Sequence, residues 1–272
     1  MLDSDKPLDP FDEKRLKTRG VGSGRKYEPF IKVHEVSSTG ESFRIFGRHS
    51  FRIHHLLSRI ELSAFLVFDS YKLTLDIKEQ FPLPIVETIS ICKHLGIKHP
   101  QISGKLKVVT TDLVVELKNK SKLAIAVKRT EELQDPRVLE KLQIEKYFWE
   151  QQGHQWKLFT ELEISASLKE NLQWLHAARQ NLDEIYTELS DLDIPLVFQR
   201  LAGSNIRLTT RCAALDDEYS CEPGFHIGFF RKVIAANYIS VPLSKVFRQW
   251  RCSDLNLVAG GDALAEELSS VS

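Results

Sequence analysis

The chain has 272 residues, 37 Lys and Arg against 37 Asp and Glu, 42% hydrophobic and 27% charged residues, a composition of one or two globular domains and not of a disordered or fibrous chain. No apolar run approaches the ~20 residues of a membrane helix, and the opening MLDSDKPLDPFDEKRLK lacks a signal-peptide core, so no membrane association and a cytoplasmic location are expected. Cys92, Cys212, Cys221 and Cys252 show no CxxC or zinc-finger spacing, which argues for reduced thiols and against structural zinc.

In chain order, residues 1–28 are polar and carry Lys14, Arg15, Lys17, Arg19, Arg25 and Lys26 among glycines and prolines, the pattern of a flexible basic arm able to follow a phosphate backbone. STGESFRIFG reads as a turn entering a short strand. HHLLSRIELSAFLVFDS reads as a helix, with Leu57, Ala64, Phe65 and Phe68 on one stripe and Glu61 within it. A carboxylate on a core-facing stripe needs a core cation or a metal, because burying it unpaired costs several kcal/mol. YKLTLDIKEQFPL is a predicted strand ending at Pro82 and Pro84.

TTDLVVEL and KLAIAVK form a predicted hairpin. A turn centred on Lys120 sets Asp112 directly opposite Lys128, with Val114, Glu116, Lys122, Ala124 and Ala126 on their face. The other face takes Leu113, Val115, Leu117, Leu123, Ile125 and Val127, the alternation of a half-buried hairpin. Asp135 and Pro136 supply an N-cap and first-turn proline for PRVLEKLQIEKYFWEQQ, Gly153 stops that helix, and WKLFT follows as a predicted buried strand. This is an α/β layout.

From residue 166 the pattern changes to a helix, SLKENLQWLHAARQ, and shorter helical segments divided at Pro195, Gly203 and the CEPG turn. HIGFFRKVIAANYISVPLSKVF reads as a helix leading into one or two short strands. Residues 166–272 hold ten basic against fourteen acidic residues, leaving twenty-seven against twenty-three in residues 1–165, so the first part suits DNA and the second suits proteins.

The Asp112–Lys128 pair fits either an edge ion pair or metal-assisted phosphodiester chemistry. Mg²⁺ usually takes one or two carboxylates plus waters and substrate oxygens, so Glu61 and Asp112 are a sufficient protein set, with the Val127 carbonyl as an addition. Lys128 would then hold the attacking water or the scissile phosphate. His54 and His55 are adjacent and cannot both ligate from one helix face. They are expected at the end of the Glu61 helix or on phosphate. No GxxxxGK[ST], GxSxG or HExxH motif is present, and Phe148, Trp149, Trp156 and Trp174 fit packing better than base stacking.

Several segments occur in order over roughly residues 26–176: RKYEPFIKVHEV, HHLLSRIELSAF, LDIKEQFPL, GIKHP, TTDLVVEL, LQDPRVLEKLQIEKYFW and LKENLQWL. In these the chain resembles the TnsA family, the endonuclease subunits of heteromeric transposases. The resemblance implies a restriction-endonuclease-like domain over residues 29–165, a mixed sheet flanked by helices. A smaller, mainly helical, winged-helix-like domain over residues 166–272 follows, in a bacterial cytoplasmic protein. It implies cleavage of the 5′ ends of double-stranded transposon DNA with one or two Mg²⁺ ions, Mn²⁺ substituting. The partners it implies are a TnsB-like transposase acting at the 3′ ends and a TnsC-like AAA+ ATPase engaged by the second domain. The family's carboxylates fall on Glu61 and Asp112, its lysine on Lys128 and a further helix glutamate on Glu145. Where the family usually has glutamine, two places before the lysine, this chain has Ala126. That departure removes one possible metal ligand and keeps open a rival reading, an inactive assembly subunit linking the transposase to its ATPase.

Overall fold

The structure, a computed structural model, describes residues 6–36, 41–179, 198, 201 and 204–258. It divides into two compact units that part at Glu163 and Ile164, with Ser70–Lys72 assigned to the second.

The first unit is built on a four-stranded mixed sheet in the order β3-β6-β7-β8, from β3 (Thr74–Pro82), β6 (Thr110–Leu117), β7 (Lys122–Val127) and β8 (Gln155–Phe159). The chain enters through α1 (Pro10–Leu16), the hairpin β1 (Phe43–Gly47) with β2 (Arg52–Leu56), and α2 (Arg59–Ser70). Between β3 and β6 lie α3 (Ile85–Leu95) and the short pair β4 (Gln101–Ile102) and β5 (Lys105–Leu106). The helix α4 (Pro136–Gln151) connects β7 to β8, which run parallel; the other neighbours in the sheet are antiparallel. Asp135 caps α4 by accepting from the Arg137 N–H at 2.8 Å, with Pro136 in the first turn, as the sequence predicts.

Five expectations change. The hairpin turns through a three-residue loop, Lys118 to Lys120, with Lys120 left-handed at φ 67° and the Asn119 carboxamide oxygen accepting from Ser121 N–H at 3.0 Å. The strand pairs run from Leu113↔Ile125 to Glu116↔Lys122, and one further step sets Asp112 opposite Ala126, with Lys128 on the diagonal. Moving the centre by one residue slides the strands by two, so every side chain keeps its expected face.

The hairpin is also buried on both faces, since Val114, Ala124 and Ala126 are as enclosed as Leu113, Val115 and Ile125. Its two strands occupy the centre of the sheet, with Val114 and Ala124 packed against Ile144, Phe148 and Trp149 of α4. Strand β8, expected to be buried, is an edge strand in which only Phe159 is enclosed. The Glu61 helix starts at Arg59, so His54 and His55 lie in β2.

The fifth change concerns the basic arm, which is folded from residue 6 to residue 28. Asp12 is buried and accepts from Lys107 Nζ at 2.7 Å and Val108 N–H at 3.0 Å. Tyr27 Oη donates to the Glu79 carbonyl at 3.0 Å, Phe30 N–H to the Gln80 carbonyl at 3.3 Å, and Gly24 N–H to Asp76 Oδ2 at 2.8 Å. Strand β3 is an edge, and this segment satisfies part of its open side while burying two aromatic rings.

The second unit is mainly helical, with α5 (Ala166–Arg179), α6 (Leu208–Glu218), α7 (Phe225–Ala235) and a two-stranded pair of β9 (Ile239–Ser240) and β10 (Asn256–Leu257). Its core gathers Leu175, Cys212, Phe230, Ile234 and Trp250, and Trp174 stacks on Phe247 at 4.4 Å. Asn171 ties α5 to the C-terminal loops, donating to the Leu243 and Lys245 carbonyls and accepting from Phe247 N–H at 2.8 Å. The breaks expected at Pro195 and Gly203 lie outside the described residues.

Candidate active site

Asp112, on central strand β6, directs its carboxylate at the end of β7. Its Oδ2 accepts from the Val127 N–H at 2.7 Å and from Lys128 Nζ at 3.0 Å. Lys128 lies one residue past β7, continues toward β8 by donating its N–H to the Phe159 carbonyl at 3.1 Å, and also gives Nζ to the Val127 carbonyl at 2.7 Å. The ammonium therefore sits on two of the oxygens expected to hold a metal.

Glu61 approaches from the first turn of α2. Ser58 caps that helix, its Oγ accepting from Glu61 N–H at 3.1 Å, and Glu61 Oε2 reaches back to the Leu57 N–H at 2.9 Å. The same Oε2 lies 3.4 Å from Gln80 Nε2. Glu145, from the middle of α4, is buried near Asp112 and Lys128; its Oε2 has no hydrogen-bond partner, and Thr111 bonds its carboxyl group. Because the Trp149 indole N–H donates to Thr111 Oγ1 at 2.8 Å, the Thr111 hydroxyl hydrogen is free to point at Glu145. Ala126, fully buried, places only a methyl group on this face.

Three carboxylates thus share one ammonium. Burial and the neighbouring Asp112 charge push Glu61 far above the ordinary carboxylate range, and the same two causes raise Glu145. Burial works against the Lys128 ammonium, but Asp112, Glu145 and Glu61 outweigh it and hold its pKa above the usual lysine value. The site carries more carboxyl groups than its one ammonium can hold as charges, and the raised Glu61 and Glu145 retain protons instead.

His54 makes none of these contacts. Its Nδ1 lies 2.7 Å from Glu79 Oε2 and its Nε2 lies 2.5 Å from Ser50 Oγ. Glu79 also receives both Arg52 amino groups, at 2.7 and 2.5 Å, and the His55 N–H at 3.0 Å. This has the connectivity of a serine–histidine–carboxylate relay, yet Ser50 is 1% exposed and its hydroxyl is out of a substrate's reach. The expected phosphate contact is thereby corrected for His54: the ring is a core group held by a carboxylate.

Comparison with known proteins gives these contacts a family context. A family model described as "TnsA-like endonuclease N terminal" matches residues 72–161, and "TnsA endonuclease C terminal" matches residues 163–243. The chain is 39% identical over 241 residues, 87% of each chain, to the transposon Tn7 transposition protein TnsA of Escherichia coli. The chain belongs to the TnsA family.

Within this member of the family, Gln80, Asp112, Lys128 and Glu145 fall inside the first matched region and Glu61 before it. The fold brings Asp112, Lys128, the Val127 carbonyl, Glu61 and Glu145 to one place. Sequence reasoning missed Gln80, Thr111 and Ser58. The spacing Ser58-x-x-Glu61 is a capping-box pattern that marks the helix start, and reading it would have moved the histidines into the preceding strand. Nothing in the sequence signals the left-handed backbone of Gln80, at φ 48° inside a strand.

Proposed function

We propose that this chain is a Mg²⁺-dependent DNA endonuclease subunit of a Tn7-like heteromeric transposase that cuts the 5′ ends of the transposon, with Glu61, Asp112 and Lys128 carrying the chemistry. The observation behind the reading is the excess of buried carboxylate around Lys128 in a chain of this family. Among the described residues, no three His, Cys, Asp or Glu side chains are close enough to form a metal cage by themselves. Two carboxylates and a backbone carbonyl, completed by water and phosphate oxygens, are instead the usual protein share of a Mg²⁺ site. The raised Glu61 and Glu145 and the orphaned Glu145 Oε2 fit a hard divalent cation, which would relieve their repulsion.

Asp112, Glu61 and the Val127 carbonyl would hold such an ion, which when bound lowers the pKa of a water and neutralises charge on the scissile phosphate. Lys128 needs no bound ion to remain charged in its acidic surroundings. Its flexible stem lets the ammonium turn from Asp112 and Val127 to the attacking water or a phosphate oxygen. Glu145 offers a second carboxylate beside that ammonium. A TnsB-like transposase acting at the 3′ ends, and a TnsC-like ATPase engaged by the second unit, complete the proposed assembly on double-stranded end DNA.

In the reconstituted reaction, Asp112→Ala abolishes 5′-end cleavage while 3′-end joining by the partner survives. Equal 5′ cutting by wild type and variant overturns the assignment. Ala126 favours one rival, a non-catalytic assembly subunit, because its buried methyl group offers no oxygen beside Asp112. Wild-type protein that gives only 3′ nicks with its partners in Mg²⁺ or Mn²⁺ would support that rival.

A further inference from the structure

Gln80 lies in strand β3 between two residues that keep ordinary register, Glu79 opposite Leu113 and Phe81 opposite Thr111, which places it across from Asp112. It is buried, and its backbone is left-handed at φ 48°. For a residue with a side chain this conformation costs on the order of 1–3 kcal/mol and persists only where the surroundings hold it. They do so here: Phe30 N–H binds the Gln80 carbonyl at 3.3 Å and Tyr27 Oη binds the Glu79 carbonyl at 3.0 Å. Glycine or asparagine would occupy such a bend with less strain, so the glutamine side chain is what the position retains. Its carboxamide bridges two partners, accepting from Thr110 Oγ1 at 3.5 Å and directing Nε2 at Glu61 Oε2 at 3.4 Å. The Leu57 N–H falls on the same Glu61 oxygen, and the Ser58 hydroxyl also hydrogen-bonds the Glu61 carboxyl group.

We infer that Gln80 is a positioning residue of the cation site: its amide holds Oε2 of Glu61 and so fixes how that carboxylate faces the metal, and the segment around Tyr27 and Phe30 holds the bend that aims it. This rests on the cation site proposed above. It also gives the N-terminal segment a part in that site, as a strap behind β3. On the two strands flanking Asp112, Ala126 offers a methyl group and Gln80 an amide.

The test is Mn²⁺ binding to the full-length protein without DNA, followed by calorimetry, with melting temperature measured alongside. Gln80→Gly relieves the left-handed strain and removes the amide. It is expected to fold, to melt within a few degrees of wild type, and to weaken Mn²⁺ binding by about 10- to 100-fold, the usual loss when a metal ligand is deprived of its outer partner. Gln80→Asn tolerates the bend but is one methylene too short to reach Glu61, so it too binds more weakly. Wild-type affinity in a folded Gln80→Gly overturns the inference; if that variant does not fold, wild-type affinity in Gln80→Asn does so. Asp112→Ala separates the two levels. If it binds Mn²⁺ as wild type does, or if wild type binds none, the cation site falls and the role of Gln80 with it. If Asp112→Ala loses binding and Gln80→Gly keeps it, the role of Gln80 alone fails.

Discussion

Two groups of buried carboxylates in the first unit differ in how completely they are satisfied. Glu79, paired in register with Leu113, is surrounded by donors: both amino groups of Arg52, the ring of His54 and the His55 N–H. Those contacts overcome the burial that would raise it and hold its pKa far below the ordinary carboxylate range. Glu61, Asp112 and Glu145 share one ammonium, and burial with mutual repulsion drives two of them upward. Glu61 and Glu145 are buried as Glu79 is, so burial alone does not separate structure from function. What separates them is saturation: a carboxylate with every oxygen occupied stabilises the fold, whereas one left short of donors has capacity for a ligand.

That contrast can be broken by substitution. The largest effect on stability is expected at Glu79→Ala, which strands Arg52 in the core and destabilises by about 3–5 kcal/mol in chemical denaturation. Gly47→Ala comes next: a Cβ there would lie 2.4 Å from His54 Nε2, an overpacking expected to cost about 1–3 kcal/mol. Glu61→Gln is expected to leave stability unchanged or raise it by on the order of 1 kcal/mol near pH 8, because it removes a charge that burial disfavours. The same change is expected to eliminate 5′ cleavage if Glu61 belongs to the proposed site. A Glu61→Gln variant as damaged as Glu79→Ala would erase the contrast.

In the pH dependence the two groups have opposite signs. Glu79 is depressed in the fold, so its stabilisation is present above the ordinary carboxylate pKa of 4.5 and is lost as the medium becomes more acidic than that. Glu61 is raised from 4.5 to about 8, so the folded state holds the extra proton between those values and stability declines as pH rises through them. Melting curves should show both limbs, and Glu61→Gln should flatten the upper one. Mg²⁺ should flatten it too, with proton release on binding.

Much of this was legible in the sequence because it depends on periodicity and caps. The α4 boundary follows from Asp135, Pro136 and Gly153, and the hairpin faces follow from alternation. The register differed because turn geometry, in which Lys120 takes the left-handed place of a three-residue loop, is only weakly encoded by Lys-Asn-Lys. Burial of both hairpin faces was hidden because two small residues, Ala124 and Ala126, read as a polar-side surface while leaving room for α4 and Asp112. The N-terminal segment looks disordered from its charges, yet Asp12, Tyr27 and Phe30 anchor it through partners some fifty to one hundred residues away. Such long-range pairings leave no local pattern. Glu61 was visible as an anomaly on an apolar stripe; Gln80, whose part depends on one backbone angle, was not.

The central claim is that the Asp112 group is an open cation site and the Glu79 group a closed one. Crystals of the full-length protein soaked in Mn²⁺ and measured by anomalous scattering test this directly. The account predicts a peak bridged by Glu61 and Asp112, with Lys128 turned off Asp112, and no peak near Glu79. Absence of a peak at Asp112 in Mn²⁺-saturated crystals, with Lys128 still bonded to it, would contradict the account.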